Sequence, residues 1–86
     1  MPEISRFFGI VIYMYYKDHP VPHFHAKFDG KKIKIAISDL SILSGGIPAT
    51  ALKLVMDWAG KHQDELMEAW EQAVIGVRPN KIPPLE

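Results

Sequence analysis

His23-Phe24-His25-Ala26-Lys27-Phe28-Asp29-Gly30-Lys31-Lys32-Ile33-Lys34-Ile35-Ala36 decides how this chain folds. Asp29-Gly30 is a strong two-residue hairpin signal, because a type I′ turn needs φ > 0 at both central positions and this pair tolerates it. A turn there pairs Phe28 with Lys31, Lys27 with Lys32, Ala26 with Ile33, His25 with Lys34, Phe24 with Ile35 and His23 with Ala36. Facing partners share one side of a sheet. One side then carries Phe24, Ala26, Phe28, Ile33 and Ile35, joined by Ile37, and needs a cover. The other carries His23, His25, Lys27, Lys32 and Lys34. The apolar and polar sets separate cleanly, which supports the register.

Upstream, residues 7–17 are rich in aromatic and β-branched types and read as a strand apolar on both faces, hence central or covered. Asp18-His19-Pro20-Val21-Pro22 interrupts it, since two prolines fix φ and remove two N–H donors. Downstream, the second and third strands span 23–28 and 31–38, and Leu40–Ile47, with Gly45-Gly46, reads as a connecting loop. A helix over 48–59 carries the stripe Leu52, Val55, Met56, Ala59. A second over 62–75 carries Leu66, Met67, Trp70, Ala73 and Val74, with Gly76 as its C-cap. Residues 77–86, with three prolines, pack as an extended arm or fray. The expected fold is a single α+β domain over 1–86, a three-stranded antiparallel sheet packed by two C-terminal helices.

With 86 residues and no cysteine, the chain suits one domain and excludes a disulfide framework, a thiolate zinc site and a cysteine nucleophile. The N-terminus has no signal-peptide pattern. The longest apolar stretch, 7–16, falls short of the ~20 residues that cross a bilayer. A cytoplasmic protein without membrane association is expected. Net charge is zero, yet residues up to Ser38 hold six Lys/Arg against three acids, and the rest hold four against seven. That asymmetry suits an anionic partner for the front half, or is simple fluctuation. A small core, two tryptophans and a first strand apolar on both sides lead us to expect a protein partner or homo-oligomer.

The chemistry concentrates at Asp18–His25, and three readings compete there. His23, His25, Lys27, Lys32 and Lys34 form a basic face suited to an anion, including nucleic acid. His19, His23 and His25 with Asp18 could ligate a divalent transition metal, although a lone H-x-H is a weak signal. Two surface histidines on a half-exposed strand would need no function at all. A lysine facing His25 disfavours a cation unless a carboxylate intervenes, so an anion is expected there, bound more tightly once the histidines protonate below about pH 6.5. No cofactor is required on this reading. General acid–base work by the histidines, in a small hydrolase or nuclease with or without a metal, is the alternative.

Ile4-Ser5-Arg6-Phe7-Phe8-Gly9-Ile10, Met14-Tyr15-Tyr16-Lys17-Asp18-His19 and Pro22-His23-Phe24-His25, followed by Trp58, His62, Glu65-Leu66, Trp70 and Lys81-Ile82, resemble one family of short bacterial proteins. It is known as domain of unknown function 4160, and the resemblance covers almost the whole chain. The family pattern has two prolines before the first histidine of the Pro-His-Phe-His segment, and Val21 stands in place of the first. The resemblance implies a bacterial cytoplasmic protein, part of a toxin–antitoxin-like pair. It also gives weight to His19, His23, His25 and His62, and it carries no activity with it. The function expected is a partner- or nucleic-acid-binding module.

Overall fold

The computed structural model describes residues 2–86. Five strands precede two helices: β1 Glu3–Phe7, β2 Ile10–Tyr13, β3 His23–Phe28, β4 Lys31–Ala36, β5 Ile42–Gly45, α1 Ala49–Lys61 and α2 Gln63–Val74. The strands form one antiparallel meander in the order β1-β2-β3-β4-β5. The class is α+β, as expected, but the sheet has five strands rather than three.

Two features account for the extra strands. Residues 7–17 are not one strand, because Phe8-Gly9 is a second tight turn, with φ of 48° and 79°, close to the 50° and 78° of Asp29-Gly30. An aromatic residue seldom takes positive φ, so the sequence hid this turn inside an apolar run. The split sends Phe7, Ile10, Ile12 and Met14 to the core and leaves Phe8 exposed at the turn. β2 itself stays apolar or aromatic on both faces, with Ile10 and Ile12 on one and Val11 and Tyr13 on the other. The second feature lies in the stretch expected to be a loop, where β5 pairs with β4 through Ile35↔Ile42, Lys34↔Ser44 and Ile33↔Gly45. Gly45 has φ +74°, and a Cβ there would lie 2.3 Å from the Lys32 carbonyl oxygen. Only glycine lets the edge strand close on β4.

The β3–β4 register agrees with the sequence reading at all six pairs, from His23↔Ala36 to Phe28↔Lys31. Phe24, Ala26, Ile33, Ile35 and Ile37 are buried under the helices with Ile10, Ile12 and Met14. Helix boundaries agree within one or two residues, while the buried stripes are rotated. In α1 they are Ala51, Val55, Trp58 and Ala59, and in α2 Leu66, Ala69, Trp70 and Ala73. Val74, expected inside, is exposed. In α1 the difference comes from Trp58, whose ring packs at 5.4 Å from Phe7 and 6.1 Å from Phe24 and so sets which side of the helix faces the sheet. Gly76, at φ +83°, follows α2 as the expected C-terminal glycine, with the Val77 N–H donating to the Gln72 carbonyl at 2.9 Å.

The C-terminal arm does not fray. Ile82 is buried, its N–H donates to the Ile4 carbonyl at 2.8 Å, and Trp58 Nε1–H donates to the Pro83 carbonyl at 2.9 Å. No helix among the described residues is long and apolar enough to cross a membrane.

Phe24 is fully buried against Trp58. Phe24→Ala is expected to lower the unfolding free energy by about 3–5 kcal/mol, a large part of what so small a domain has. A thermal melt that superimposes on that of the unchanged chain would exclude a core role for this ring.

Candidate functional site

The helices cover one face of the sheet only. Across the other, the pairings line up two rows: Arg6, Val11, Lys27 and Lys32, then Tyr13, His25, Lys34 and Ser44. Tyr13, Tyr15, His25, Lys32, Lys34, Ser44 and Gly45 border a shallow cavity of about 350 Å³ on this face. Arg6 is tied to Glu3, guanidinium to carboxylate at 2.8 Å. Among the described residues no carboxylate lies within ion-pairing distance of Lys27, Lys32 or Lys34. Like-charged neighbours facing each other across β3 and β4 repel, so this face holds uncompensated positive charge.

The aromatic rings there are ordered by one another. The His25 imidazole stacks on Tyr13, centroids 5.1 Å apart and planes 12° from parallel, and meets Tyr15 edge-on at 4.9 Å. Tyr13 is buried beneath them. Burial first, and then neighbouring Tyr15, push its phenol up to about 12, so it keeps its proton. Tyr15 is open to solvent.

The proline loop brings a carboxylate to the edge of this face. Asp18 Oδ2 lies 2.9 Å from His23 Nε2 and 3.4 Å from His25 Nε2, while Asp18 Oδ1 accepts from the His19 N–H at 2.8 Å. Lys17 N–H donates to the Ala73 carbonyl at the end of α2, and Ile37 N–H donates to Pro22, so both ends of the loop are anchored. His23 is 1% exposed, with its ring 5.0 Å from both His25 and Trp70. It therefore joins the open face to the helix layer, which explains why a histidine on the polar side of the hairpin is buried.

The tautomer of His23 follows from its partners. The Val21 carbonyl, 2.6 Å from Nδ1, can only accept, so Nδ1 carries a proton. Nε2 then faces the Asp18 carboxylate with either a second proton, making the ring cationic, or a lone pair. Asp18 is held below the usual carboxylate range: its burial opposes this, but the His19 N–H and the His23 and His25 rings outweigh it. His25 is pushed below the ordinary imidazole value, by burial first and also by its neighbours His23 and Lys34, against the pull of Asp18. Near neutrality His25 is uncharged. Any anion-binding charge on the face then comes from the lysines, and strengthening by protonation of His25 begins at lower pH than expected from an unperturbed histidine.

Asp18, His23 and His25 are thus brought together, each offering an atom within 4.8 Å of the others. Exposed His19 contributes only its backbone N–H. His62, at the junction of α1 and α2, bonds to Glu65 and packs on Trp58 at 5.4 Å, and it stays outside the cluster. The sequence could not supply the fold-back of Asp18, which depends on the anchored proline loop. That fold-back places the intervening carboxylate whose lack had argued against a cation.

Replacing Asp18 by alanine removes the acceptor shared by two imidazoles and leaves buried His23 Nε2 without a partner. The expected cost is about 1–3 kcal/mol. The amide of Ile37, held by the loop, should exchange with deuterium faster, while that of Ile33 in mid-strand exchanges as before. Equal protection of Ile37 in both proteins would show that Asp18 does not hold the loop.

No curated protein and no solved structure matches this chain. A family model, "Domain of unknown function (DUF4160)", matches residues 9–71, a span that includes the Asp18–His25 loop, both histidine-bearing strand positions and most of the two helices. By that match the chain belongs to the DUF4160 family.

Proposed function

We propose that the protein is a binding module whose open sheet face holds single-stranded nucleic acid. The observation that carries this reading is the set Lys27, Lys32 and Lys34, without a carboxylate partner among the described residues, beside solvent-open Tyr15 and His25 stacked on Tyr13, on a face no helix covers. Lysines supply the phosphate contacts, and rings supply a stacking surface that tolerates any base. An acidic protein partner would satisfy the lysines equally well but has less use for the rings. Such a module suits one member of a toxin–antitoxin-like pair acting in the bacterial cytoplasm, the setting that the family resemblance implies. A second reading, a small histidine-dependent hydrolase or nuclease, is favoured by one observation: the Asp18–His23–His25 cluster borders the same face.

Fluorescence anisotropy with a labelled oligonucleotide over a salt series tests the binding reading. The logarithm of the affinity should fall linearly with the logarithm of salt, at about −0.7 per phosphate contacted on a single strand. Lys32→Ala and Lys34→Ala should each shallow that slope. Tyr15→Ala should weaken binding by about 1–3 kcal/mol with the slope retained. Salt-insensitive binding, no binding, or tighter binding of a poly-glutamate competitor would reject nucleic acid as the ligand.

A further inference from the structure

We infer that Asp18, His23 and His25 form a binding site for one divalent first-row transition metal ion. This rests on the loop cluster and not on the nucleic-acid reading of the lysine face.

The first argument is distance. A metal bonded at ~2.1 Å to each of two ligand atoms holds them ~3.0 Å apart at an octahedral angle and ~3.4 Å apart at a tetrahedral one. Asp18 Oδ2 is 2.9 Å from His23 Nε2 and 3.4 Å from His25 Nε2. The three atoms lie within 4.8 Å of one another, so the two distances from the carboxylate oxygen already match those of a shared ion, and the two imidazoles complete the set by closing on it.

The second argument is the set of partners behind the ligand atoms. In histidine–metal sites the ring nitrogen away from the metal usually donates to a carbonyl or carboxylate, which fixes the tautomer, and the ligating carboxylate is itself hydrogen-bonded. Both devices are present. His23 Nδ1–H donates to the Val21 carbonyl at 2.6 Å, which leaves Nε2 to coordinate, and Asp18 Oδ1 accepts from the His19 N–H at 2.8 Å, which leaves Oδ2. His25 lacks such a hydrogen bond but is held by stacking on Tyr13. The same atoms explain why the cluster is more than a hydrogen-bonded pair. One carboxylate oxygen faces two imidazole nitrogens, and one of those rings has already spent its Nδ1 proton on a carbonyl.

The third argument is access. The side chain of His23 is 1% exposed, that of His25 15% and that of Asp18 18%. The ion would be walled off on the His23 side and reachable from the Asp18–His25 side, leaving coordination positions for water or a ligand. Two imidazoles and one carboxylate suit Zn²⁺, Fe²⁺, Co²⁺ or Ni²⁺, whereas Mg²⁺ and Ca²⁺ require oxygen-rich sites. Lys34, across from His25 on β4, opposes the cation's charge, and Asp18 offsets it.

Untagged protein, stripped with EDTA and dialysed, is titrated calorimetrically with Zn²⁺, Co²⁺ and Mg²⁺, with folding followed by circular dichroism. One equivalent of Zn²⁺ or Co²⁺ should bind, Co²⁺ should develop visible d–d absorption, and Mg²⁺ should not compete. Asp18→Asn, which keeps the side chain's shape, and His25→Ala should each weaken Zn²⁺ binding about tenfold or more. His19→Ala and His62→Ala should leave it unchanged. The inference is overturned if the folded, unchanged chain takes up no stoichiometric Zn²⁺ or Co²⁺, or if Asp18→Asn binds as tightly as it does. Equal loss in His19→Ala or His62→Ala overturns the ligand set. Oligonucleotide binding measured in EDTA reads the lysine face by itself, so failure of one proposal is separable from failure of the other.

Discussion

The turn at Asp29-Gly30 is the constraint on which the rest depends. Both residues sit at positive φ, and two central residues of that kind leave the flanking strands one pairing. A slip of one residue would send Phe24 and Ile35 to solvent and His25 and Lys34 into the core. The core under the helices and the charged face above them are therefore two outcomes of the same local geometry. Neither can be altered without the other.

Placed on that frame, the cluster at the sheet edge owes its form to a short loop with both ends fixed. Lys17 is hydrogen-bonded to the end of α2 and Pro22 to Ile37. Within those six residues, two prolines restrict the chain, and the carboxylate of Asp18 returns to the start of β3. A flexible loop would lose considerable conformational entropy on holding such a contact. This one has little left to lose, so the acid and the imidazoles are already arranged before any ligand arrives.

Much of this was legible in the sequence, for local reasons. The β3–β4 register followed from one dipeptide and the alternation around it, and the two helices followed from their periodicity. What was not legible was either sequence-atypical or long-range. The Phe8-Gly9 turn puts a bulky aromatic where glycine, asparagine or aspartate is usual. Strand β5 is exposed along its whole length, so it lacks the half-buried alternation that marks a strand. The rotation of the α1 stripe depends on where Trp58 finds Phe7 and Phe24, contacts between residues far apart in the chain. Of the site, the grouping of His23, His25 and the lysines could be read from alternation alone. Asp18 could be named from the sequence as a possible ligand, but its return to both imidazoles, and the exclusion of His19 and His62, required the tertiary fold.

The fixed C-terminal arm makes the two rims of the sheet unequal. By bonding to Ile4 and lodging Ile82 in the core, it closes off part of β1, much as natural proteins shield strands that would otherwise recruit neighbours. At the opposite rim β5 has no such cover, and Ile42 and Leu43 project there with their side chains open. The molecule thus has a polarity that its meander topology does not suggest. An extended segment from another chain added at the β5 rim would extend the lysine-bearing face rather than compete with it.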